Sequence, residues 1–164
     1  MVLFIAYMVR GMAGFGSGLI AVPLLAMVFP VQLVVPVVVL FDYIGSASQG
    51  IRNRDKIVWR EEFVLVPFTL IGVALGLTVL QSLASSTLKQ ALAIFVITYA
   101  VYQILPLPVL HGSRFLAVPC GLLGGMIGTL FGTGGPFYVI YFNLRGMDKD
   151  ASRATFSANF MIDG

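Results

Sequence analysis

The chain has 164 residues, of which 59% are hydrophobic and 10% are charged, and its net charge is +3. A soluble domain carries about 25% charged residues, and the mean hydropathy here is +0.97, so the composition excludes an ordinary soluble protein. Because Cys120 is the one cysteine and the basic residues lie in short loops, we expect no disulfide, metal, cofactor or nucleic-acid partner, but a surrounding lipid bilayer.

Apolar runs divide the chain into six segments, separated by two charged loops at 52–62 and 143–153. A helix that spans a bilayer needs roughly 20 apolar residues, and the complete runs are close to that length or longer. We therefore predict an all-α, polytopic membrane protein built as a helical bundle. The predicted segments are residues 1–29, 33–51, 63–80, 88–105 and 115–143, and a sixth that begins near Ala154.

One glycine-rich motif occurs twice, in the first and the fifth segment. Residues 11–18 read GMAGFGSG and residues 125–136 read GMIGTLFGTGGP, so both contain Gly-Met-x-Gly followed by Phe-Gly-[Ser/Thr]-Gly. Glycine frees the backbone to leave a helix, yet an opened backbone is tolerated at membrane depth only against protein or a wet cavity. Matched breaks in two halves are typical of a transporter's binding site. We predict that each motif interrupts its helix.

The duplicated motif also predicts two repeats. Residues 1–110 form a first transmembrane repeat, and residues 111–164 form the start of a second, truncated repeat. The sixth segment has too few residues to cross a bilayer. We therefore expect a partner, either a second copy of the chain or the missing second half of the repeat.

The broken segments allow two topologies. If each is a kinked span, the loop that holds Lys149 lies opposite the loop at 52–62. If each is a re-entrant hairpin that enters and leaves on one side, every loop lysine and arginine except Lys89 falls on a single face. The positive-inside rule makes that face cytoplasmic, and the repeats become inverted. We favour the hairpins and keep the kinked span as the alternative.

The candidate anion-binding residues come from the two motifs and the arginine before the first. Freed amides and positive helix N-termini suit a small anion, and Ser17 and Thr133 occupy matching places. The alternative is helix contact through small residues, which we assign to Gly72 and Gly76, so that Gly76→Ala should be nearly silent in anion binding. The predicted substrate-binding residues are Arg10, Gly16, Ser17, Gly18, Gly132, Thr133, Gly134 and Gly135.

Two acids lie inside apolar segments, where ionisable groups are functional candidates. Asp42 lies in the second segment, and Asp163 lies in the equivalent segment of the second repeat. We predict both as proton-coupling residues, with Arg10 as a candidate partner of Asp42. The alternative is that Asp42 is a neutral, hydrogen-bonded structural carboxyl.

These motifs resemble those of the TauE/SafE sulfite exporter family, also called the 4-toluene sulfonate uptake permease family. The first pattern of that family is similar to GMAGFGSGLIAVPLL at residues 11–25, and the second is similar to GLLGGMIGTLFGTGGPFYVIY at residues 121–141. The resemblance covers almost the whole chain and is specific at the two glycine motifs. It implies a multi-pass transporter, built by duplication, with small sulfur-containing anions as substrates.

The leading interpretation is a transporter, and not an enzyme, that moves sulfite- or sulfonate-type anions across the cell (inner or plasma) membrane. A proton gradient or the membrane potential would drive it. One alternative is a non-transporting membrane scaffold. A second is an intramembrane serine hydrolase with Ser17 as the nucleophile and His111 as the base, which requires the two side chains within hydrogen-bond reach.

Overall fold

The computed structural model describes Met8, residues 17–104 and residues 112–163, apart from the side chains of Gln49, Ile51, Arg52 and Asp163. Those residues form seven α-helices and two short 3₁₀ turns, at Arg54–Lys56 and Arg114–Leu116, with no strand among them. The helices are α1 (Ser17–Ala26), α2 (Val31–Arg52), α3 (Trp59–Ser82), α4 (Ser85–Ile104), α5 (Ala117–Phe131), α6 (Gly135–Leu144) and α7 (Lys149–Asp163).

The helices confirm the prediction of an all-α, polytopic membrane protein. By length and composition, four helical stretches can cross a membrane, and α1 is a shorter apolar helix. The four stretches are Val31–Ser48, Trp59–Ser82, Ser85–Ile104 and Arg114–Phe131. The division into repeats at residues 1–110 and 111–164 stays a prediction.

The second glycine motif breaks its segment, as predicted. Helix α5 ends at Phe131 because Gly132 adopts the left-handed conformation, with φ of 65°, which only glycine takes without a steric cost. The chain then turns and begins α6 at Gly135, where Pro136 occupies the first turn, a position at which the missing N–H of proline does no harm. Residues 11–16 of the first motif lie outside the described part, and α1 begins at Ser17 within that copy.

Helices α5 and α6 form a hairpin whose two ends come together. The backbone N–H of Gly112 donates to the carbonyl of Leu144 at 2.9 Å, so the chain before α5 meets the chain after α6. Between the arms, Gly124 leaves room for the ring of Tyr138, which a side chain at that position would overlap. The fifth segment therefore enters and leaves at the same end of the molecule.

The two charged loops lie side by side at that end. Lys56 Nζ pairs with Asp150 Oδ2 at 2.7 Å, and the backbone N–H of Val58 donates to Thr155 Oγ1 at 3.0 Å. The hydrogen bond and the opposite charges of the ion pair raise the pKa of Lys56 and lower the pKa of Asp150. This juxtaposition agrees with the hairpin topology, whereas a kinked span would separate the loops by the thickness of the bilayer.

Two clusters of buried side chains hold the bundle together. The first joins α1, α2 and α4 to the end of α5, through residues such as Val22, Val38 and Leu92. The second joins α3, α6 and α7 around Tyr138 and Phe156. The second cluster fastens the hairpin to α3 and α7, and the first brings α1 to the hairpin's tip.

Helices α3 and α5 pack with their backbones in close contact. A side chain at Gly72 would overlap the carbonyl of Leu122. A methyl group at Gly76 would lie 2.8 Å from Thr129 Cβ and 2.9 Å from the carbonyl oxygen of Met126. The assignment of both glycines to helix contact agrees with these distances. They also show that Gly76→Ala must disturb the packing of α3 on α5, because the backbone of α5 leaves no room, whereas its small effect on anion binding stays a prediction.

We expect Gly76→Ala to lower the free energy of unfolding by about 1–3 kcal/mol, the usual effect of overfilling a close contact. Gly128→Ala is the matched control on α5, because a methyl group there would meet its nearest atom at 3.5 Å, an ordinary contact. Thermal unfolding of the purified variants checks the prediction. Equal stability of the two variants would show that α3 and α5 separate readily.

Candidate functional site

The two glycine motifs meet inside the molecule. A side chain at Gly18 of the first motif would overlap the carbonyl group of Gly132 of the second, so the absence of a Cβ atom allows the two backbones to touch. A small cavity of about 10 Å³ lies beside this contact. Its lining residues are Ser17, Gly18, Leu19, Asp42, Gly132, Thr133, Gly135, Pro136, Phe156 and Phe160.

The cavity lies at the start of a helix. Helix α6 begins at Gly135, and the first amides of a helix have no carbonyl partner within it. They carry the positive end of the helix dipole. Ser17, the first described residue of α1, lies on the opposite wall. The turn at Gly132 therefore places the positive end of the α6 dipole at the cavity, an arrangement that favours a negative charge.

Asp42 reaches this cavity from α2. Its carboxylate Oδ1 accepts a hydrogen bond of 2.6 Å from the hydroxyl of Ser17, and both side chains are buried, with 4% and 1% of their surface exposed. The sequence predicts Ser17 as an anion-binding residue and Asp42 as a proton-coupling residue, as separate candidates. The structure brings them into direct contact, a pairing across 25 residues that sequence reasoning missed.

Thr133 contributes a buried hydroxyl that makes no hydrogen bond within the described part of the chain. The side chain is 4% exposed. Buried hydroxyls are almost always bonded, because an unpaired one loses its hydration without replacement. An unsatisfied hydroxyl on the wall of a cavity is therefore the signature of a site for a polar ligand or a water.

The remaining predicted residues lie elsewhere or outside the described part. Gly134 packs against the backbone of Gly124 and lines a different, mostly apolar cavity of about 270 Å³ between α2, α3 and the hairpin. Asp163 is the last residue of α7, and its side chain is outside the described residues. Arg10, Gly16 and His111 are outside them as well, so the predicted roles of these residues stay predictions.

A buried ionic cluster holds the base of the hairpin, and sequence reasoning missed it. Glu61 lies in the first turn of α3, and not in the charged loop to which we had assigned it. Its carboxylate accepts hydrogen bonds from the Tyr141 hydroxyl at 2.6 Å, from Arg145 Nε and Nη2 at 3.2 Å each, and from Arg114 Nη2 at 3.3 Å. Arg145 also donates to the carbonyl of Gly112 at 3.1 Å. One acid thus binds both arms of the hairpin to α3.

Two further polar side chains are fully buried, Glu62 in the first turn of α3 and Asn159 in the second half of α7. Glu62 and Asn159 have no exposed surface, and among the described residues neither amide atom of Asn159 makes a hydrogen bond. Glu62 follows Val58 by one helical turn, and Asn159 follows Thr155 by one helical turn, while Val58 and Thr155 are themselves hydrogen-bonded. The signal that sequence reasoning overlooked was the position of Glu61 and Glu62 directly before an apolar run, where they begin a helix.

Comparison with known proteins agrees with this architecture. The chain matches the family model described as Sulfite exporter TauE/SafE over residues 1–162. No curated protein and no solved structure matches the chain. The matched region contains both glycine motifs, the cavity between them and the four long apolar helical stretches. The chain belongs to the TauE/SafE sulfite exporter family of membrane transporters.

Proposed function

We propose that the protein carries small sulfur-containing oxyanions, of the sulfite or sulfonate type, across the cell membrane and binds them where the two glycine motifs meet. The observation that carries the proposal is the unpartnered hydroxyl of Thr133, which faces a cavity at the N-terminus of α6. The family supplies the substrate class. The buried position of the cavity supports carriage through the protein over binding at its surface.

The donors around the cavity suit an oxyanion. An anion that leaves water must exchange its hydrogen bonds for others, and bonds to a charged acceptor are roughly twice as strong as neutral ones. The hydroxyls of Thr133 and Ser17 and the backbone amide of Gly135 offer O–H and N–H donors from both motifs. Neutral donors hold an anion without the full neutralisation that would slow its release.

The cavity must widen before it can hold such an anion. A volume of about 10 Å³ holds about one water, which is smaller than a sulfur atom with three oxygens. Gly18 and Gly132 are in contact and both line the cavity. We therefore describe this conformation as a closed state, and transport requires α1 and the hairpin tip to separate. A proton gradient or the membrane potential drives the cycle, with Asp42 as the candidate proton carrier.

Thr133→Val tests the site, because it removes the hydroxyl and preserves the shape of the side chain. The loss of one hydrogen bond to a charged group costs about 1.5–3 kcal/mol, so we expect sulfite or a sulfonate to bind about 10- to 100-fold more weakly. Ligand-dependent thermal stabilisation of the purified protein measures this, since binding to the folded state raises stability with ligand concentration.

Thr129→Val is the matched control. The hydroxyl of Thr129 is already satisfied by the carbonyl of Gly125 in its own helix, at 2.9 Å, so its removal should leave anion binding unchanged. If the two valine variants bind the anion equally well, the hydroxyl of Thr133 does not contact it. If the anion does not stabilise the unmodified protein, the result favours a non-transporting membrane scaffold and contradicts the proposed transport.

A further inference from the structure

We infer that each anion binds together with one proton, which is taken up by the carboxylate of Asp42. The reason is that this carboxylate accepts the hydrogen bond of the Ser17 hydroxyl, a donor that the anion needs. The inference rests on the proposed function and adds the rule by which the site is loaded. Ser17 is the donor in question: its hydroxyl is directed at Asp42 Oδ1, 2.6 Å away, and not at the unpartnered hydroxyl of Thr133 across the cavity. The closed site thus already contains an acidic group, supplied by the protein itself.

The hydrogen bond between Ser17 and Asp42 would bring a bound oxyanion close to the carboxyl group. An oxyanion that accepts from the Ser17 hydroxyl lies within hydrogen-bond reach of an oxygen atom that is itself 2.6 Å from Asp42 Oδ1, so the two charges would be neighbours in the widened site. Two like charges about 4 Å apart in a protein interior repel strongly enough to lower an affinity by about a thousandfold. The anion therefore binds when Asp42 is neutral, and the charged carboxylate excludes it.

No other described ionisable group lines the cavity and could take the proton instead. On the side of α1 the walls are Ser17, Gly18 and Leu19, and on the side of α7 they are Phe156 and Phe160. The hairpin contributes Gly132, Thr133, Gly135 and Pro136. Helix α4 approaches α2 through the core cluster. The ionisable side chains of the neighbouring helices do not line the cavity. They are Lys89, Tyr99 and Tyr102 of α4, Tyr43 of α2, Cys120 of α5, and Lys149, Asp150 and Arg153 of α7.

The exchange conserves the charge of the site. The proton adds to a carboxylate oxygen of Asp42, the Ser17 hydroxyl turns from that oxygen to the anion, and no covalent bond of the anion changes. The empty site carries the carboxylate, and the loaded site carries one monovalent anion beside a neutral acid. Anion and proton then cross together, and the cycle moves no net charge for a monovalent cargo.

Methanesulfonate is the probe that tests this loading rule, because it stays a monoanion across the accessible pH range. Its binding to the purified full chain should take up one proton per anion, measured by calorimetry in two buffers of different ionisation enthalpy. At pH values where Asp42 is charged, the apparent Kd should rise about tenfold for each pH unit, as linkage of one proton to one ligand requires. Asp42→Asn should bind the probe with a pH-independent Kd and no proton uptake.

Each outcome decides the matter. Proton uptake in the unmodified protein that disappears in Asp42→Asn supports the inference. If Asp42→Asn does not fold, the uptake and the pH slope of the unmodified protein decide alone. Binding of methanesulfonate by the unmodified protein without proton uptake overturns the loading rule and leaves the proposed function standing. Uptake that persists in Asp42→Asn also overturns the rule. The absence of any binding, at every pH, overturns the proposed function and this inference together.

Discussion

Gly18→Ala should force the two glycine motifs apart and open the site that they enclose. The added methyl group would overlap the carbonyl of Gly132, and a backbone carbonyl in a tight turn cannot yield as a flexible side chain can. Overfilling of this kind costs about 1–3 kcal/mol. Because the strain is relieved when α1 leaves the hairpin tip, that cost should appear as a shift toward the open conformation.

The shift can be read from the accessibility of Thr133. In a background without Cys120, a Thr133→Cys side chain should react slowly with a small polar thiol reagent, because this position is 4% exposed. Adding Gly18→Ala should accelerate the reaction about 5- to 150-fold, the factor that corresponds to 1–3 kcal/mol of coupling. Adding Gly128→Ala instead should not, because a methyl group there meets only ordinary contacts. Equal labelling rates in all three proteins would show that the Gly18 contact does not close the site.

Removal of the Glu61 charge should have the second large effect. Glu61→Gln leaves the guanidinium groups of Arg114 and Arg145 without their shared counter-charge, and the side chain of Glu61 is only 7% exposed. Breaking a fully buried ion pair costs about 3–5 kcal/mol. The two arginine side chains are 39% and 25% exposed, so water compensates part of the loss, and we expect about 1–3 kcal/mol.

The exposed ion pair between Lys56 and Asp150 provides the control. Both side chains are more than half exposed, and such pairs contribute little to stability, so Asp150→Asn should unfold almost as the unmodified protein does. Denaturation of Glu61→Gln, Tyr141→Phe and the double variant would separate the bond to the tyrosine from the bonds to the arginines. If Glu61→Gln and Asp150→Asn were equally stable, the cluster would not hold the hairpin base.

The sequence predicted those features that depend on local backbone preference. The break at Gly132 follows from glycine spacing within an apolar run, because few other residues adopt a positive φ and open backbone is costly in lipid. The number and lengths of the long helices follow from apolar runs. The grouping of the charged loops follows from the distribution of lysine and arginine, because orientation in a membrane depends on that distribution.

The features that were missed depend on contacts between distant residues. Glu61 meets Arg145 across 84 positions and Ser17 meets Asp42 across 25, and neither apolar periodicity nor motif spacing contains such pairings. Glu61 was assigned to the charged loop because it follows several basic residues, although it lies in the first turn of a helix that begins at Trp59. Gly134 belongs to the predicted motif, but the turn directs it toward Gly124 and away from the small cavity.

The reversal at Gly132 has a consequence for the order in which the protein is assembled. A helix that spans a bilayer satisfies its own backbone and can enter lipid alone, but the peptide groups at a hairpin tip cannot. Here Gly18 covers the carbonyl of Gly132, and α1 emerges from the ribosome well before α5. The earlier helix is thus already in place when the tip arrives. A chain deprived of α1 should stall with its hairpin outside the bilayer and be degraded by membrane quality control.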